Sequence, residues 1–195
     1  NVGPVTVSTS TTTTSSGETT STTGDTAQYA TSTQGLTYLS KAGLLNKCSE
    51  TSTACQAKIL TREEAAAVVA IVGGIPLDAP NAYSDDDTSI YQSAINGMPY
   101  YGMQVCFRSP FEYLPKEPVL RDQFACMIVR AMKAGTTTDL EGSTDKFSDI
   151  GASGFQSNIN TLAANDVVPD CSSLSDKFCP SRKISIGEVS YIVDK

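Results

Sequence analysis

Apolar residues recur along this chain at helical spacing, in short blocks separated by polar loops. Phe155, Ile159, Leu162 and Ala163 stand at i, i+4, i+7 and i+8, one face of a helix. Ile95 with Met98, and Leu36 with Leu39, mark two more short amphipathic blocks. A loop follows each, and then a longer apolar block. This predicts second helices near 62–72, 121–132 and 186–193. Pro76 and Pro80 end the first pair, Gly135 and the threonines after it end the second, and Gly73-Gly74 reads as a helix C-cap. Little sheet is expected in this part of the chain.

The blocks share one order. The third copy runs Phe147-Ser148-Asp149-Ile150, the Phe155 helix, Asp166-Val167-Val168, a loop with Phe178 and Pro180, then Ile184-Ser185-Ile186-Gly187-Glu188. The second runs Tyr83-Ser84-Asp85-Asp86, Tyr91 to Met98, Gly102-Met103, a loop with Tyr113 and Pro115, then Val119-Leu120-Arg121-Asp122-Gln123. The first is degenerate at its front but keeps Gly43-Leu44-Leu45 and Leu60-Thr61-Arg62-Glu63-Glu64. A period of about sixty residues means one supersecondary unit used three times, each burying its apolar face against its neighbours.

Aromatic-x-Asp, short helix, Gly-apolar-apolar, aromatic-x-Pro and Thr-Arg-x-Glu together resemble the S-layer homology repeat, over roughly residues 25–195. The chain departs from that pattern at Leu120, at Ile186, at the front of the first copy and in having no Trp; Tyr91 and Phe155 fill the early aromatic slot. The resemblance implies a mainly α fold of three helix-loop-helix repeats with pseudo-threefold packing, at 25–78, 79–138 and 139–195. It implies an extracellular structural protein of the cell surface, attached non-covalently to a cell-envelope polysaccharide or built into a surface layer. Arg62 resembles an Arg that binds anionic wall polymer, Arg121 stands at the matching place, and Ile186 makes the third site inactive. Asp85 and Asp149, which organise the start of such a repeat, complete the candidate ligand set.

Physical chemistry supplies a second reading for each of these residues. Thr61 with Glu64, and Ser185 with Glu188, are capping boxes, so their first duty is helix initiation. A capping box needs no Arg, and an Arg beside the positive end of a helix is mildly unfavourable. Arg62 and Arg121 are better explained if each faces a carboxylate or an anionic ligand. Asp85-Asp86-Asp87 lacks the alternating oxygens of a calcium loop and reads as a cap for a helix starting near Ser89. Tyr91 and Phe155 read as core anchors, and one of Tyr100 and Tyr101 is expected at the surface.

Composition narrows the functions. The net charge is −7, which argues against nucleic acid as a partner. His is absent, so triads built on it are impossible, and no Gly-rich phosphate loop occurs. An enzyme is not expected, nor a cofactor or metal. No apolar run approaches the roughly 20 residues of a membrane helix. The six cysteines fall two per copy and allow fifteen pairings. Repeat logic favours Cys48–Cys55, Cys106–Cys126 and Cys171–Cys179 in an oxidising compartment, with metal ligation or free core thiols as the alternatives. From Thr6 to Thr23 every residue is Ser or Thr except Val7, Gly17 and Glu18. This 1–24 segment reads as a flexible linker open to O-glycosylation. Its Thr and Val content equally suits an extended strand that adds to a neighbouring copy of the chain. That second property supports an alternative, a self-assembling filament subunit. A secreted carbohydrate-binding adhesin is a further alternative.

Overall fold

The computed structural model describes residues 32–45, 53–107, 112–135, 140, 142–168, 171 and 176–195. The Ser/Thr-rich segment and the strand expected in it lie outside the described residues, as does Cys48. The described part is mainly helical: α1 Thr33–Lys41, α2 Thr53–Gln56, α3 Arg62–Gly73, α4 Gln92–Gly97, α5 Arg121–Gly135, α6 Gln156–Ala164 and α7 Ile186–Asp194. Two 3-10 turns, Met98–Tyr101 and Met103–Cys106, follow α4.

The longer helices start where their caps dictate. Thr61 and Ser185 accept from the backbone N–H of Glu64 and Glu188, whose carboxylates accept in return from the N–H of Thr61 and Ser185 at 2.9 Å. At α5 the box is half built: Leu120 has no hydroxyl, but Gln123 still accepts from the Leu120 N–H at 3.0 Å. Gly74 closes α3 with φ 59°, a left-handed cap that a side chain would strain.

The segments entering α3, α5 and α7 form a closed ring. Leu60 donates its N–H to the Ile184 carbonyl, Ile184 to Val119 and Val119 to Leu60, each at 3.1 Å. A second ring lies outside it: Arg62 N–H to Glu117, Arg121 to Arg182 and Ile186 to Lys58, each at 2.8 Å. These bonds satisfy helix-opening donors that have no partner inside their own helix. They form isolated antiparallel bridges, and no strand occurs among the described residues. Leu60, Val119 and Ile184 are buried at the centre, so the ring is also the middle of the core.

Helices pack around this ring, α3 against α5, α5 against α6 and α1 against α7. The α1–α7 crossing is close. A Cβ on Gly35 would collide with the backbone carbonyl of Ser190, and Ser32 donates its N–H to the Ser190 hydroxyl at 3.4 Å. Gly35→Ala should therefore cost about 1–3 kcal/mol, the usual penalty for overpacking. Urea denaturation of this variant beside Gly74→Ala would separate packing from backbone strain. Unchanged stability of Gly35→Ala would show that α1 can withdraw from α7 freely.

Candidate functional site

Arg62 and Arg121 each open a helix, and the ring points each toward the third helical residue of the next helix. For Arg121 that residue is Glu188. Both side chains are buried, and Arg121 Nη1 bonds Glu188 Oε1. Arg121 Nε also donates to the Phe178 carbonyl at 2.7 Å, and its guanidinium lies 4.7 Å from the centre of the Phe178 ring. Arg182, partly exposed, bonds the same Glu188 oxygen. Arg121 is only 1% exposed, so it has no face to offer a polymer. The ligand role expected for Arg121 gives way to a structural one, because the third copy supplies its carboxylate from inside the protein.

Arg62 meets Gln123 at the equivalent place. Both line a groove of about 300 Å³ with Glu117, Leu120 and Lys183. Arg62 is half-buried. Its Nη1 donates to the Tyr113 carbonyl at 3.2 Å, its guanidinium lies 5.0 Å from the centre of the Phe107 ring, and its Nε has no hydrogen-bond partner among the described residues. Burial pulls its pKa below the usual value, opposed by Tyr113, Glu117 and Asp85. Where Glu188 offers Arg121 a carboxylate, Gln123 offers Arg62 a neutral amide. Lys183 adds a second, exposed positive charge. Ile186, in the third Arg position, is buried core.

A second groove of about 310 Å³ lies between α5 and the third-copy loop, lined by Asp122, Asp149, Ser153, Ser181 and Arg182. Its charge is mostly acidic, and the Arg182 head is bound to Glu188. Of the two grooves, only the Arg62 groove has a cationic excess.

Asp85 and Asp149 are both engaged by backbone N–H groups of their own chain. Asp85 accepts from the N–H groups of Tyr113 and Leu114 at 2.9 and 2.7 Å. Asp149 accepts from those of Phe178 and Cys179 at 2.9 and 2.8 Å. Leu114 and Cys179 have φ of 56° and 55°, so each carboxylate clamps a left-handed turn just before a proline. The expected capping role at Ser89 is not what Asp85 performs: α4 begins later, at Gln92, and carries no side-chain cap. Tyr113 is fully buried, donates its hydroxyl to the Arg62 carbonyl at 2.9 Å, and burial pushes its pKa well up.

Two carboxylates escaped the sequence reading. Glu63 accepts from Ser89 Oγ at 2.7 Å and from Lys116 Nζ at 2.6 Å, while Asp122 accepts from Ser153 Oγ at 2.8 Å. Each serine in turn accepts an N–H, from Tyr91 or Phe155, at 3.1 Å. The recurrence of Ser two residues before that aromatic was the available signal.

Cys106 is joined to Cys126 and Cys171 to Cys179, with Cα atoms 5.6 and 5.9 Å apart. The pairing expected for Cys55 falls on Cys48, outside the described residues. Asp149 lies against both sulfurs of the Cys171–Cys179 bridge, but oxidised sulfurs are not metal ligands. Among the described residues no helix is long and apolar enough to cross a membrane. No protein-family model and no curated protein matches this chain.

Proposed function

We propose that this chain is an extracellular structural protein of the S-layer homology type that attaches non-covalently to an anionic cell-envelope polysaccharide through the Arg62 groove. The observation that carries the reading is Arg62 itself: a half-buried guanidinium without a carboxylate partner among the described residues, with Lys183 in the same groove. The equivalent Arg121 is neutralised internally, so an external anion at Arg62 takes the part that Glu188 takes there. A planar guanidinium matches a sugar carboxylate in two-pronged fashion, and Lys183 adds charge without fixed direction. The overall charge of −7 repels a polyanion, so attachment depends on this local excess and weakens with salt. The filament alternative rests on the Ser/Thr-rich segment, which lies outside the described residues.

Co-sedimentation with purified envelope polysaccharide at low ionic strength is the test. Arg62→Ala should weaken binding about 10- to 100-fold, the worth of a charge-assisted hydrogen bond. Lys183→Ala should weaken it less and flatten its salt dependence. Binding unchanged by Arg62→Ala would remove the groove from consideration.

A further inference from the structure

The second copy carries an oddity beside the clamp that supports Arg62. In the third copy the residue after the clamping aspartate is Ile150, 2% exposed and part of the core. The second copy has Asp86 at that place, 0% exposed. Among the described residues, neither Asp86 carboxylate oxygen has a hydrogen-bond partner. The Gln92 amide and Asp86's own N–H approach it, but outside hydrogen-bonding geometry, and Gln92 donates instead to Asp87 at 3.0 Å. The hydroxyl of neighbouring Tyr83 is likewise buried without a partner. A charged carboxylate in such a place must lose its charge or reach water.

Its surroundings offer no relief. On its own turn Asp86 faces Asp85 and Asp87, and before the turn the Tyr83 phenol; α4 presents Gln92. Nearby, α3 presents Glu63, already held by Ser89 and Lys116. Among the described residues no trio of carboxylates converges here to hold a cation. Proton uptake is the remaining remedy.

We propose that Asp86 is a proton-operated latch on the Arg62 groove. Protonated, Asp86 occupies the position of Ile150 and the turn stays closed. Ionised, it moves to water and carries Asp85 off the Tyr113 and Leu114 N–H groups. Those groups fix the Tyr113 carbonyl that receives Arg62 Nη1. The Tyr83 ring, packed edge-on to Tyr113 at 5.2 Å between centres, gives a second route for the same motion. The third copy, with Ile150 under the Asp149 clamp, has no titrating group at this place. Coupling to ligand rests on the proposed anion site at Arg62; the latch itself does not.

Burial raises the Asp86 carboxyl above its usual value; the nearby Gln92 amide and Asp86's own N–H oppose the rise, and Asp87 and Asp85 add to it. An acid raised in the folded state adds stability fully present below its unfolded value of 3.8, lost as pH rises through the folded value. The latch is therefore closed in acid and opens as pH rises. The Tyr83 phenol, raised to about 12 chiefly by burial, stays neutral throughout that window.

Amide hydrogen exchange on the full chain reads the latch without ligand. Protection of Tyr113 and Leu114, taken as a ratio to Phe178 and Cys179, should fall as pH rises from the ordinary aspartate range. The fall should approach about tenfold per pH unit between the ordinary aspartate value and the raised Asp86 value, and level off above it. Asp86→Asn and Asp86→Ile should abolish the pH dependence and raise the melting temperature at neutral pH. A ratio independent of pH in the wild type, or one that still varies in Asp86→Asn, overturns the latch. Polygalacturonate binding between about pH 5 and pH 8, where uronates stay ionised, then tests the coupling. With an intact exchange signature, binding stronger in acid supports it and pH-independent binding overturns it. Absence of any binding, with the signature intact, removes the anion site at Arg62 and leaves the latch standing.

Discussion

Arg121→Met should lower the stability of the whole protein by about 3–5 kcal/mol, the cost of removing one partner from a buried ion pair. Both side chains are sealed from solvent, and Arg121 contributes three contacts at once: Glu188, the Phe178 carbonyl and the Phe178 ring. The variant leaves Glu188 inside with only Arg182, whose side chain is 32% exposed. Glu188 also accepts from the Ser185 N–H, so its displacement weakens the start of α7. At this chain length the loss corresponds to a melting temperature lower by about 6–20 °C. Arg121→Lys should recover little, because an ammonium cannot serve Glu188 and the Phe178 carbonyl together in the guanidinium geometry. Urea denaturation measures the effect. An Arg121→Met protein as stable as the wild type would mean that Arg182 alone neutralises Glu188. The same variant in the sedimentation assay, under conditions where it is folded, should still bind polymer.

The helices could be read from the chain because their signals are local. Thr61 with Glu64 and Ser185 with Glu188 mark the first turns of α3 and α7, and the spacing of Phe155, Ile159 and Leu162 outlines α6. The roles of the candidate site residues were not local. Arg62 and Arg121 hold the same helix-opening position, each followed by an acid, and have opposite fates in space, decided by Gln123 and Glu188. Those residues were themselves read only as helix-starting positions. A capping residue two helices away in the chain determines whether an Arg is neutralised or left facing a groove. Asp85 and Asp149 show the same limit. The turns they clamp lie 28 to 30 residues further on, beyond any cap or periodicity rule. Asp86 could have been found by comparing copies, since a charged residue opposite Ile150 breaks the repeat at a core position.

Asp149→Ala should be the second most damaging change, and it should act partly through Arg121. Its carboxylate receives two backbone N–H groups, and hydrogen bonds to a charged group are worth about 1.5–3 kcal/mol each. Alanine leaves both N–H groups without their acceptor in a part-buried turn where Cys179 has φ 55°. The disulfide to Cys171 keeps the turn near its place, so some of the loss is recovered, and a net cost of about 2–4 kcal/mol follows. Phe178 stands between the two sites: its N–H is held by Asp149, while its carbonyl and ring hold Arg121. Once Asp149 is gone, Phe178 holds Arg121 less firmly, and Arg121→Met then has less to remove. The double variant should be more stable than the sum of the single losses predicts, by about 0.5–3 kcal/mol, as expected for residues sharing one network. Asp85→Ala with Arg121→Met, which touch different loops, should instead be additive to within about 0.5 kcal/mol. Equal coupling in the two double variants would show that the losses spread through the whole ring rather than through Phe178.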